Sequence, residues 1–202
     1  MRWLPYGPDA ALLESDSLEE MSAARAVVAD ARPEDVVELV PGARSLLVST
    51  RPGSGALAAV RDLVERADLA HPPTGDAREI VLDVHYDGAD LDDIARTAGV
   101  SVDEVVELHT GAVYTVAFTG FAPGFGYLTG LPEPLRQPRL DSPRTSVPAG
   151  SVGIAGEFTG AYPRSTPGGW RLLGHTDAVL FDPRAERPAL LAPGDSVRFR
   201  SR

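Results

Sequence analysis

The sequence has no cysteine and no lysine; all 19 of its cationic residues are arginine. Without cysteine there is no disulfide, no thiolate zinc site and no cysteine nucleophile. Without lysine there is no Schiff base, no Ser-Lys amidase, no biotinyl-lysine and no P-loop lysine. Any step that needs those groups has to occur on another chain. No apolar run approaches the ~20 residues that span a bilayer. Met1-Arg2-Trp3-Leu4-Pro5 carries no apolar signal-peptide segment. A cytoplasmic location is therefore expected. The net charge of −10 argues against nucleic acid, which calls for a basic surface.

What is present is unevenly spread. The length of 202 residues suits one large domain or two small ones. Residues 1–110 hold 22 acids and 9 arginines, a balance of −13, whereas residues 111–202 hold 7 acids and 10 arginines, a balance of +3. Glycine and proline together number 14 in the first stretch and 24 in the second. The first part reads as mixed α and β with acidic helices. The second reads as short strands joined by tight turns, with a mildly cationic surface.

Residues 1–77 predict a small two-layer α+β domain of order ββαββα. Arg2–Tyr6 and Ala10–Leu13 flank a turn at Gly7-Pro8-Asp9. Ser17 and Glu20 fit a reciprocal capping box, followed by Leu18, Met21, Ala24 and Val28 at helical spacing. Val36–Val40 and Ser45–Ser49 flank Pro41-Gly42 as a hairpin. Ala56–Leu69 forms a second helix, and His71 to Asp76 reads as a linker. A ferredoxin-like βαββαβ order is the alternative, reached if the first hairpin fails and the strand after the linker joins this sheet.

Residues 78–202 predict a β-barrel domain. Glu79–His85 is a strand. Two helices follow: Asp90–Ala98, ending at Gly99, and one opened by the capping box Ser101-Val102-Asp103-Glu104 and running to His109. The remaining strand candidates are Val113–Thr119, Tyr127–Leu131, Ser151–Ala155, Trp170–Leu173, Ala178–Phe181 and Ser196–Arg200. Many short strands between Gly/Pro turns argue for a closed or nearly closed barrel.

One stretch carries a specific resemblance. Phe118-Thr-Gly-Phe-Ala-Pro-Gly-Phe-Gly-Tyr-Leu-Thr-Gly-Leu131 is similar to the GF-x-PGF-x-YL segment of the KipI family. Pro138-Arg139, Pro143-Arg144, Val147 to Gly156, Tyr162-Pro163 and Ser165 to Trp170 continue the same order. The family is also called allophanate hydrolase subunit 1, carboxyltransferase subdomain C/D-like, and the B-type subunit of 5-oxoprolinase. The resemblance implies an α+β N-terminal domain and a mainly-β, cyclophilin-like C-terminal barrel. It further implies two partners, a KipA-type (C-type) subunit and a third, A-type protein. Together they would cleave 5-oxoproline to glutamate with ATP as co-substrate, the isolated chain being inactive. Two other functions resemble it by family name: inhibition of a sensor histidine kinase, and a part in urea or allophanate metabolism.

The residues allow a functional and a structural reading side by side. Gly120, Gly124, Gly126 and Gly130 miss the G-x-G-x-x-G spacing. Gly124 either supplies a turn with positive φ or lets a ligand approach the backbone, with Phe121, Phe125 and Tyr127 packing the barrel. Arg136, Arg139 and Arg144 lie within nine residues among prolines, and a guanidinium fork can hold a carboxylate or phosphate. Arg139 and Arg144 are the substrate-binding candidates, beside Gly124, Tyr127, Gly150 and Trp170; solvation or ion pairing is the competing role. Ser151 and His109 are the catalytic candidates. Ser151 lacks the glycine of a nucleophile elbow at position 149, and a turn or hydrogen-bonding role competes. His109 closes a helix, as an acid/base or as a capping or packing residue. His175 stands where arginine is frequent in the family. The four histidines show no metal spacing, and no metal site is expected.

Overall fold

The computed structural model describes residues 1–73 and 77–202. The contacts divide the chain into two units, Met1–Ala77 and Arg78–Arg202. Thr74, Gly75 and Asp76 of the expected linker lie outside the described residues.

In the first unit β1 (Arg2–Pro5) and β2 (Ala10–Glu14) pair as an antiparallel hairpin. Helix α1 (Leu18–Ala31), β3 (Val36–Pro41), β4 (Ser45–Thr50) and α2 (Ala56–Arg66) follow, and the sheet order is β1-β2-β4-β3. Leu13, Leu46 and Val48 alternate inward from the sheet. They meet Met21, Ala24 and Val28 of α1 and Val60 and Val64 of α2. These spacings are the period of two of a strand and the 3.6 of a helix. The N-terminus of α1 departs from the expected capping box. Ser17 Oγ accepts from the Glu20 amide at 3.2 Å, but the Glu20 carboxylate accepts from Ser15 Oγ instead of reaching back to Ser17. The Ser17 amide donates to Ser15 Oγ at 3.1 Å, so one serine upstream takes over half of the box. Helix α2 stops three residues before the expected Leu69, because Ala67 is extended at φ −72° and ψ 146°.

The second unit contains β5 (Glu79–Val84), α3 (Leu91–Ala98), α4 (Val102–Gly111), β6 (Tyr114–Thr119), β7 (Gly126–Thr129) and a 3₁₀ turn, Glu133–Leu135. Then come β8 (Arg144–Val147), β9 (Ser151–Ala155), β10 (Phe158–Ala161), β11 (Thr166–Gly168), β12 (Arg171–His175) and β13 (Ser196–Ser201). Seven strands form one mixed sheet of order β12-β9-β10-β7-β6-β13-β5; β8 and β11 make a separate ribbon. Strand β5 runs parallel to β13 in this sheet and does not join the first one. Ala178–Phe181 is not a strand; only Phe181 makes a single bridge, to Ala189. Strands β8, β10 and β11 are not evident from the sequence. Thr166-Pro-Gly of β11 reads as a turn. Gly160 breaks the pattern of β10, and a Cβ there would meet Gly126 O at 2.6 Å.

The two outer strands meet and nearly close the sheet into a barrel. His85 and His175 exchange backbone hydrogen bonds of 2.8 and 2.9 Å, and the Gly88 amide donates to Leu173 O at 3.0 Å. This seam admits no side chain at two points. A Cβ on Gly174 would stand 2.0 Å from His85 O, and one on Gly88 would stand 2.2 Å from Leu172 O. The barrel interior is mainly aliphatic: Leu82, Val116, Leu128, Val152, Ile154 and Leu173 pack together with α3 and α4 residues, and Tyr114 and Phe199 are the aromatic residues buried among them. The expected turn at Pro193-Gly194-Asp195 forms, with Gly194 at φ 97°. Asp195 ties it to the start of β5, accepting from the Arg78 amide and guanidinium at 3.2 Å and from the Ala192 amide at 2.9 Å. Burial opposes the Asp195 charge, but these donors outweigh it and hold its carboxyl below the ordinary aspartate value.

Candidate functional site

Successive residues of a strand point to opposite faces. On the face away from the aliphatic interior, an aromatic layer forms. Phe125, Tyr162, Trp170 and Leu172 are buried in it, with Tyr127 and Phe158 packed against them. Phe118 joins through an irregularity: Val116 pairs with Leu128, but Phe118 pairs with Tyr127. The extra residue in β6 is a bulge, and it turns Phe118 outward. Its ring stacks on Tyr127 at 4.3 Å. Trp170 meets Phe125 and Tyr127 edge-on at 5.2 and 5.6 Å. Burial raises the phenols of both Tyr127 and Tyr162, and the Arg139 charge opposes this at each.

The loop joining β6 to β7 lies against this layer. Ala122-Pro123-Gly124-Phe125 is a type II turn, with the Phe125 amide donating to Ala122 O at 3.0 Å and Gly124 at φ 85°. A Cβ on Gly124 would stand 2.7 Å from Phe181 Cβ and 2.8 Å from Leu180 O. The close approach at Gly124 is thus to another part of the backbone. Phe121 does not pack the barrel as expected. It is 58% exposed, and its φ of 64° is in the left-handed region. For a residue with a Cβ this conformation costs roughly 1–2 kcal/mol. Its ring is edge-on to Phe125 at 5.4 Å and to Tyr162 at 6.3 Å.

The three clustered arginines diverge. Arg136 donates through Nε to Leu131 O at 3.0 Å. Arg144 grips Asp90 with Nη2 at 2.6 and 2.8 Å. Asp90, whose side chain is 8% exposed, also accepts from the Leu172 amide at 2.7 Å. Arg144 thus ties β8 to β12 and to the start of α3. Arg139 is exposed, and its guanidinium has neither an ion pair nor a hydrogen bond among the described residues. Its loop is pinned on both sides: Arg171 Nε donates to Pro138 O at 3.1 Å, and the Leu140 amide donates to Gly169 O at 2.7 Å. An exposed guanidinium, unpaired among the described residues, thus projects from a pinned loop next to the 169–171 segment, and its charge is felt at the phenols of Tyr127 and Tyr162. A guanidinium so placed has the chemistry to take an anion, and the neighbouring aromatic layer the chemistry to flank an apolar edge.

The remaining candidates are placed as follows. His109 is fully buried. Thr159 donates its hydroxyl to Gly153 O at 3.1 Å, which leaves Thr159 Oγ1 to accept from His109 Nε2 at 3.0 Å. Nδ1 then accepts from the Tyr86 hydroxyl at 2.7 Å. Burial pushes the imidazole down to about 3, so it is neutral at pH 7. This geometry favours the packing role over acid/base chemistry. Gly150, at φ 82°, gives its amide to Tyr162 O at 2.7 Å, and a Cβ there would stand 2.4 Å from Thr176 O. Its donor is spent inside the fold. Ser151 is buried and pairs across the strands with His175. His175 Nδ1 lies 2.9 Å from Asp87 Oδ1, and its ring stacks on His85 at 4.9 Å.

Sequence reasoning missed Asp90, Asp87 and Arg171 as scaffold residues, and it assigned Phe121 to the barrel packing, whereas that residue is 58% exposed. Asp90 and Asp87 are far in sequence from their partners, so no local pattern announces them. An open recess of about 800 Å³ in the first unit is lined by Arg2, Glu14, Ser15, Ser17, Glu20 and Arg44, among others. Its Arg2–Glu14 pair and Ser15–Glu20 bond satisfy one another. Among the described residues no cluster of His, Asp and Glu is suited to a metal, and no helix is long and apolar enough to cross a membrane.

Residues 1–191 match the family model described as carboxyltransferase domain, subdomain C and D. A protein of Escherichia coli O157:H7, named as the B subunit of 5-oxoprolinase, is 49% identical over 169 residues, covering 82% of this chain and 78% of that protein. One of Haemophilus influenzae with the same name is 42% identical over 173 residues, covering 82% and 79%. The crystal structure of TTHA0988 superposes with a TM-score of 0.80 at 33% identity over 96% of this chain. This chain spans 40% of the TTHA0988 chain.

Proposed function

The chain belongs to the family of carboxyltransferase domains, subdomains C and D, and on that footing we propose that it is the B-type subunit of an ATP-dependent 5-oxoprolinase. Such a complex opens the lactam of 5-oxoproline to L-glutamate, and this chain is inactive alone. The observation that carries the reading is the likeness to proteins named as the B subunit of 5-oxoprolinase over most of their length. In this reading the two units are separate domains, the barrel is cyclophilin-like, and the complex is cytoplasmic.

Arg139 takes the substrate carboxylate, and Tyr127 and Trp170 wall the ring. A guanidinium spends no proton on this task at neutral pH and presents a fork that matches a carboxylate. Arg139 is exposed, so a second protein, the KipA-type partner, has to cover the ligand and exclude water. Arg144, Gly124, Gly150 and His109 serve the scaffold, and Ser151 enters only as a hydrogen-bonding residue opposite His175. The glycine loop does not suit a phosphate. Its Gly120, Ala122 and Phe125 amides are bonded within the loop, and Gly124 abuts Leu180 and Phe181. No ATP step is therefore assigned to this loop.

The test is co-expression with the C- and A-type subunits and an assay of ATP-dependent glutamate release. The full complex is expected to turn over and the isolated chain is not. Arg139→Ala is expected to lower kcat/KM by 10- to 100-fold while leaving the melting temperature unchanged, since the side chain holds nothing in the fold. Full activity of Arg139→Ala removes the arginine from the site. Absence of 5-oxoproline turnover in the full complex overturns the function.

A further inference from the structure

Phe121 combines three properties that seldom coincide. Its backbone is held at φ 64°, a conformation that glycine adopts freely and phenylalanine does not. Its ring is 58% exposed, so burial does not offset that cost. Yet it is well oriented, edge-on to Phe125 and Tyr162. Strained residues persist where the surroundings fix them, and they concentrate at functional positions. The loop around it supplies the fixing: the Gly120 amide donates to Phe125 O at 3.2 Å and the Ala122 amide to Gly120 O at 2.6 Å. Tyr162 links this ring to the Arg139 loop: a Cβ on Gly168 would stand 2.6 Å from the Tyr162 hydroxyl oxygen, and the neighbouring Gly169 O accepts from the Leu140 amide at 2.7 Å.

We propose that Phe121 is a specificity-determining residue, its exposed ring taking the apolar methylene edge of a small cyclic carboxylate whose anionic end lies on Arg139. This rests on the anion site proposed above and names the part of the ligand that site alone does not read. A flat aromatic ring discriminates a closed five-membered ring from an open-chain anion by contact area, and the guanidinium cannot. The strained backbone keeps the ring turned outward before the ligand arrives, so little side-chain entropy is lost on binding.

The experiment compares wild type, Phe121→Gly and Phe121→Tyr in the reconstituted complex. KM and kcat are measured for 5-oxoproline, and inhibition by cyclopentanecarboxylate and by acetate is measured in parallel. Relief of the left-handed strain is offset by the entropy of glycine and the lost ring contacts, so Phe121→Gly is expected to melt within about 2 °C of wild type. Its KM for 5-oxoproline should rise at least 10-fold, and cyclopentanecarboxylate should weaken by a similar factor while acetate is unaffected. Phe121→Tyr should restore KM to within about 3-fold of wild type. Unchanged KM and inhibition in Phe121→Gly would falsify the proposal. So would a loss shared equally by acetate, or one accompanied by a melting temperature lowered beyond that margin and not rescued by tyrosine. If the complex binds cyclopentanecarboxylate in a Phe121-dependent way but turns over no 5-oxoproline, the reaction assignment falls and the role of Phe121 stands. If neither anion binds the complex, both fall.

Discussion

Strand β9 shows two environments within five residues. Val152 and Ile154 enter an aliphatic interior, whereas Ala155 of the same strand belongs to the aromatic layer on the other face. On the inner face polar groups are few, and those described around His109 are matched in series, from Tyr86 through the imidazole and Thr159 to Gly153 O. On the outer side the Arg139 guanidinium is unmatched among the described residues, and the backbone at Phe121 is left in the left-handed region. The difference separates what holds the barrel from what the proposed ligand would use. Buried groups that are satisfied stabilise and stay silent. Exposed groups held in place yet unsatisfied are available for recognition.

This division can be broken most severely at the seam. Gly174→Ala places a methyl group into His85 O, where 2.0 Å is available. We expect a loss of more than about 3 kcal/mol, measured by urea unfolding; a loss under about 1 kcal/mol would show that the seam yields. Next comes Arg144→Ala, which strands the nearly buried Asp90 carboxylate. A cost of about 2–4 kcal/mol is expected, together with reduced activity that tracks stability. An active-site role instead predicts lost activity with an unchanged urea midpoint.

Acid gives a milder test of the inner face. His109 has a folded value of about 3, below the ordinary histidine value. As pH falls below about 6.5 the unfolded chain takes up this proton and the folded chain does not. Stability should therefore fall by about 2–3 kcal/mol between pH 6.5 and 4.5. His109→Gln should flatten that slope, whatever it does to stability at pH 7. Asp195 adds a second loss at lower pH. Its folded value is depressed, so its contribution is present above the ordinary aspartate value and disappears as pH drops through the folded one. A slope unchanged in His109→Gln would remove the buried imidazole from this account.

Much of this is legible in the sequence because it is local. The Ser101 capping box forms with both of its arms, Gly99 caps α3 in the left-handed region at φ 71°, and Pro123-Gly124 makes its turn. The periodicities of α1, β4 and β9 point to the right cores. What fails is non-local. Three arginines close in sequence read as one cluster, but Asp90 claims Arg144 from 54 positions away and Leu131 O claims Arg136. Only the pinning of Pro138 and Leu140 by the 169–171 segment distinguishes Arg139. Strand β10 hides its pattern behind Gly160, which is there to let strands cross closely. Phe121 reads as core because aromatic residues usually are; nothing in its neighbours specifies a left-handed backbone.

The bulge in β6 has a consequence for how this chain can vary. Ala117 is the surplus residue between Val116 and Phe118. Losing that one codon would set Phe118 directly after Val116, still alternating to the outer face and still opposite Tyr127, so the stacked pair survives a deletion that would invert the faces of a regular strand. At this point of the gene length is less constrained than identity: a three-nucleotide deletion removes only the unpaired alanine, whereas a change at Val116 or Phe118 removes a packed side chain.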